Sequence, residues 1–79
     1  MDSINEVLDA VKVYCKEKTS DATYAFYIKD IRAVSFEDSN TITLALRSEV
    51  VMKIVSDRYT ALLKEAFKAI LGFDVEILD

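Results

Sequence analysis

The sequence predicts an α+β domain of element order α-α-β-β-α-β, and three observations carry that reading. Apolar residues recur at a helical spacing from Ile4 to Ile31, switch to strict alternation over residues 32–47, and return to the helical period after Ser48. A short alternating tail closes the chain at residues 73–78. Such an order implies a three-stranded sheet with its helices packed on one face.

Ser3-Ile4-Asn5-Glu6 reads as a capping box, in which the Ser3 hydroxyl accepts from a first-turn amide and Glu6 reaches back to the cap. Ile4, Val7, Leu8, Val11, Tyr14 and Cys15 then form an apolar stripe, with Glu6, Asp9, Lys12 and Lys16 on the wet side. Lys16-Glu17-Lys18 leaves net positive charge in the last turn, where the helix dipole favours it. Helix is expected over residues 3–18.

Thr19 or Ser20 caps a short second helix, and Asp21 lies beside its free amides. Tyr24, Tyr27, Ile28 and Ile31 repeat at i, i+3, i+4 and i+7, whereas Phe26 lies off that stripe. The three rings therefore have two readings, core packing for all or core packing with one ring at a surface groove. Two strands follow. Val34 and Phe36 alternate with Ala33 and Ser35, and Ile42, Leu44 and Leu46 alternate with Thr41, Thr43 and Ala45, so the first set in each strand is expected to face the core. Glu37-Asp38-Ser39-Asn40 supplies the polar hairpin turn between them.

Ser48 caps a third helix whose double-width stripe runs from Val50 through Val55, Leu62, Leu63 and Phe67 to Leu71. An uninterrupted helix of roughly 24 residues would make a rod of about 36 Å. Gly72, the only glycine, stands where a left-handed C-cap is needed. A last strand over residues 73–78 sets Phe73, Val75 and Ile77 against Asp74 and Glu76, and the two strands joined by the long helix run parallel in one sheet.

With 79 residues the chain supports one domain, residues 1–79, and no linker, repeat or proline divides it. Histidine is absent, so no imidazole is available as base or ligand, and the one cysteine, Cys15, has no partner for an internal disulfide and is expected to pack inside its helix. The acidic residues fall at turns and on wet faces, the hairpin turn lacks the glycine and distal glutamate of a calcium loop, and one glycine makes no phosphate cradle. No enzyme, metal site or cofactor is expected. No apolar run reaches the ~20 residues of a membrane span, and no basic leader opens the chain, which points to a cytoplasmic protein. A net charge of −4 with scattered lysines and arginines argues against strong phosphate-backbone binding and leaves a protein-interaction module as the leading class.

The element order is shared with KH-like folds, whose nucleic-acid clamp is a GXXG loop that one glycine does not provide. A weak single-strand contact through scattered Lys, Arg and Tyr stays as an alternative role, and a free-standing regulatory copy of the domain as another. Tyr24-Ala25-Phe26-Tyr27-Ile28, the hairpin, and the stretch from Leu46 through Ser48-Glu49-Val50 to Arg58-Tyr59 together resemble the amino-terminal domain of the bacterial replication initiator DnaA. In that family an F-x-x-W-[IM] segment ends the second helix. An A-P-N-x-F segment opens the third, which continues to an arginine- or lysine-tyrosine pair. Tyr24 and Tyr27 stand at the two aromatic positions, Ser48 and Val50 at the asparagine and phenylalanine positions, and Arg58-Tyr59 at the pair.

The resemblance implies a KH-like docking platform that does no ATPase chemistry. It implies assistance to initiator self-assembly at the origin and contact with the replicative helicase or with initiation regulators. Carried over by position, the partner surface comprises Thr23, Tyr27, Ser48, Glu49 and Val50, with Asp21 and Arg47 nearby. The family's self-association tryptophan on the first helix has Leu8 or Ile4 as its nearest counterpart here.

Overall fold

A computed structural model describes residues 4–38 and 40–78. Helix α1, Ile4–Lys18, is followed by α2, Asp21–Thr23, which continues without a gap as a π-helical segment, Tyr24–Ile28. Strands β1, Arg32–Glu37, and β2, Thr41–Ala45, form the hairpin. Helices α3, Glu49–Arg58, and α4, Thr60–Leu71, lead to β3, Glu76–Leu78. The sheet order is β1-β2-β3, antiparallel between β1 and β2 and parallel between β2 and β3, as the connection through the helices requires.

One core joins the layers. Val7, Leu8, Val11 and Cys15 of α1 meet Ile42 and Leu44 of β2, Val51 and Val55 of α3, and Leu63, Ala66 and Phe67 of α4. Ile42 and Leu44 are buried while Thr41, Thr43 and Ala45 between them are half-buried, so the alternation along β2 sorts the two sheet faces as expected. The Ser3 cap lies outside the described residues, as does Ser39 of the hairpin turn. In that turn Asp38 takes a positive φ of 54°, and the Asn40 amide donates to the Glu37 carbonyl at 3.2 Å.

Four expectations are corrected. The second helix is a single α-turn and then a π-turn, in which the Lys29 amide reaches back five residues to the Tyr24 carbonyl at 2.8 Å. The wider turn brings Ile28 fully into the core and leaves Phe26 55% exposed.

In β1 the register slips between Ala33 and Ser35, and the extra residue there reverses the alternation. Ala33 pairs with Leu44 and Phe36 with Ile42, whereas Val34 sits in the bulge and is 63% exposed.

The long third helix is broken at Tyr59, whose φ of −117° and ψ of 1° leave the helical region. The Thr60 hydroxyl donates to the Ser56 carbonyl at 2.8 Å, and the Tyr59 ring packs on Tyr27 at 5.5 Å between centroids. A threonine bonding backward bends a helix, and the ring contact holds the bend. The molecule is 30 Å along its longest axis, shorter than the expected rod.

Last, β3 holds only three residues. Phe73 precedes it and stacks on Phe36 at 6.5 Å, while Val75 is buried. Gly72 takes the left-handed cap, φ 88°, with its amide on the Lys68 carbonyl at 2.8 Å.

Candidate protein-docking site

The approach to α3 is built by local hydrogen bonding. Ser48 holds extended φ and ψ and its hydroxyl accepts from the Val51 amide at 3.2 Å, so this residue is the N-cap of α3. Capping in turn fixes which side chains follow: Val51 turns into the core at 6% exposure, and Val50, one residue earlier, stands out at 71%. Glu49, also exposed, brings negative charge to the first turn, where free amides favour it.

Arg47, just before the cap, reaches across to the π-turn. Its guanidinium lies 4.5 Å from the centre of the Phe26 ring, and Nη2 donates to the Phe26 carbonyl at 3.4 Å. Phe26 makes an edge-on contact with Tyr27 at 4.9 Å, and Tyr27 continues to Tyr59 at the α3–α4 break. A ring-and-guanidinium chain thus runs from the head of α3 across the π-turn to the end of α3.

The other face of the second helix is shaped by α1. The Lys12 ammonium donates to the Lys29 carbonyl at 2.7 Å and ties the end of the π-turn down. Burial holds its pKa below the usual lysine range, with Asp9 and Asp30 acting in the opposite direction. An open groove of about 410 Å³ is lined by Lys16, Asp21, Tyr24, Ala25 and Lys29, with the Lys16 ammonium 5.5 Å over the Tyr24 ring.

Tyr27, Arg47, Ser48, Glu49 and Val50 are therefore brought onto one connected surface, with Tyr27 and Arg47 linked through Phe26. Asp21 and Thr23 begin the same helical segment; Asp21 lines the groove, and the Thr23 amide donates to the Ser20 cap at 3.1 Å. The self-association pair separates. Ile4 is half-buried against the core, but Leu8 is only 3% exposed and offers no surface to another molecule, because the α1 stripe it belongs to faces α4 and the sheet.

Phe26 and Tyr59 are the members that sequence reasoning left out of the site. The signal for Phe26 was present in its position off the i, i+3, i+4, i+7 stripe; nothing in the spacing marks Tyr59, which belongs to the stripe of the third helix.

Among the described residues no group of three or more Cys, Asp or Glu side chains is placed to hold a metal ion, and every buried side-chain polar atom has a partner. The family model of the DnaA N-terminal domain matches residues 5–69. The chain belongs to the DnaA N-terminal domain family. It is thus a replication-initiator N-terminal domain of bacterial type, and membership brings with it the character of a non-catalytic protein-interaction module. No curated protein matches the sequence. Among the described residues no helix is long and apolar enough to cross a membrane. In this DnaA N-terminal domain the Tyr27 ring bridges the Phe26–Arg47 pair to the α3–α4 break.

Proposed function

We propose that this domain docks a protein of the bacterial initiation machinery, the replicative helicase or an initiation regulator, in the cytoplasm. Its docking surface is formed by Phe26, Tyr27, Arg47 and Val50, with Ser48, Glu49, Asp21 and Thr23 as the polar surround. The observation that carries the reading is the Arg47–Phe26 contact, which fuses the second helix and the head of α3 into one face. Exposed aromatic and arginine side chains beside an unburied valine have the composition of an interface centre ringed by polar groups. Self-association through α1 would rest on Ile4 and the residues beside it.

Phe26→Ala tests the surface. Phe26 keeps 55% of its surface in water, so docking can bury about 100 Å² more of it, worth about 2.5 kcal/mol or more than tenfold in affinity. Calorimetric titration with the replicative helicase of the same cell should show at least that loss. Unchanged affinity in a folded variant would remove Phe26 from the site and the Arg47 bridge with it.

A further inference from the structure

The sheet face turned away from the helices displays a pattern that the strand register defines. Ser35 pairs with Thr43 and Glu37 with Thr41 across β1 and β2; Leu78 lies beside Thr43 and Glu76 beside Thr41 across β2 and β3. Cross-strand neighbours share a face, and these two rows lie opposite the buried Ile42 and Leu44. The first row runs from Ser35 to Leu78, which is 54% exposed, and the bulge adds Val34, 63% exposed, next to Ser35. The next row toward the hairpin turn is acidic at both ends, Glu37 and Glu76. Glu76 has an exposed ion pair with Lys64 at 3.5 Å, but among the described residues no cation pairs with Glu37 or with Asp38 in the turn.

We infer that this open face is a second docking site, and that its occupant is a basic amphipathic helix of a partner protein. The helix would lay an apolar stripe on Val34 and Leu78 and set Lys or Arg residues over Glu37 and Asp38. Charge complementarity at the hairpin end selects the partner: the unpaired carboxylates of Glu37 and Asp38 attract cations and repel an acidic stripe, whereas Arg32, paired with Ala45 at the other end of this face, takes no cation. Shape agrees, since three strands spaced at ~4.8 Å span about the ~10 Å diameter of one helix. The face measures on the order of 250 Å², far below the ~800 Å² per partner of a standard interface, so it suits weak capture and not a stable dimer. The site is independent of the Phe26–Val50 surface, whose α3 residues follow the opposite end of β2 from the hairpin turn.

The probe is a capped 14-residue peptide of leucine and lysine with leucines at helical i, i+3, i+4 spacing, titrated into the isotope-labelled 79-residue chain at low salt. Amide shifts should concentrate in β1, β2 and β3 with a Kd of about 10–500 µM, and weaken steeply as salt rises. Glu37→Lys and Val34→Ser should each weaken binding at least about fivefold, whereas Val50→Glu should leave it unchanged. Glu37 lies in the exposed end of β1, so its variant carries the test even where Val34→Ser impairs folding. Three results would overturn the inference: shifts centred on Phe26 and Val50, equal binding of the matching leucine-glutamate peptide, or unchanged affinity in Glu37→Lys. Concentration-dependent shifts of the peptide-free protein on the same strands would assign the face to a second copy and overturn it as well.

Discussion

Val50→Glu separates a docking residue from a core residue with a single charge. Val50 keeps 71% of its surface in water in the folded chain, so folding gains from it less than about a third of the ~1.5–3 kcal/mol of a fully buried valine. The new carboxylate lies in the first turn of α3, two residues after the Ser48 cap, where the helix dipole returns about 0.3–1 kcal/mol. The two contributions nearly cancel, and the melting temperature should move by less than about 4 °C, since 1 kcal/mol corresponds to ~4–8 °C in a domain of this size. Docking responds in the opposite manner. A valine buried by a partner contributes up to ~3 kcal/mol, and a carboxylate in its place adds a desolvation penalty, so affinity for the helicase should fall by about a hundredfold. Val51→Glu is the internal contrast: at 6% exposure the same charge enters the core and should unfold most of the population. The assays are a thermal melt by circular dichroism and a calorimetric titration with the helicase. A fall in melting temperature of more than about 8 °C for Val50→Glu, or full retention of binding, would refute the reasoning.

Two further predictions concern the scaffold of the site. Ser48→Ala removes the α3 cap and should cost about 1 kcal/mol in a denaturant melt, whereas Ser48→Asp keeps an acceptor for the Val51 amide and should melt like the parent; equal losses in both would show that the cap is not what Ser48 supplies. Burial, with Glu65 adding to it, pushes the Cys15 thiol up to about 11, so in the folded chain it should resist a disulfide reagent at pH 8 and react at once in urea. Because the folded state keeps this proton after the unfolded chain has released it, the contribution of Cys15 to stability is complete below about pH 8.5 and declines as pH rises toward 11. Denaturant titrations of the parent and Cys15→Ala should converge across that window, as the parent loses stability that the variant does not; parallel curves, or fast labelling of the native protein, would place the thiol nearer the surface.

The amino-acid sequence by itself determined the order of elements and the sheet content, because these depend on periodicity, and the family, through the residues matched over 5–69. A period of 3.6 or 2 is a property of neighbouring residues, and so are the Ser48 cap and the Gly72 terminator, which form through bonds to residues three or four positions away. The exposure of Val50 was legible for the same reason, since a cap fixes which following side chain turns inward, whereas Arg47, Ser48 and Glu49 entered the proposed surface through the family resemblance.

Tertiary structure alone decided the π-turn, the bulge at Val34 and the break at Tyr59. Each depends on a contact between distant residues: Phe26 with Arg47, the β1 residues with their β2 partners, and Tyr59 with Tyr27. A one-residue slip in a strand or one wider turn in a helix changes which side chain meets water without changing the pattern of apolar letters. That is why Phe26, which the stripe passed over, stands exposed beside Arg47.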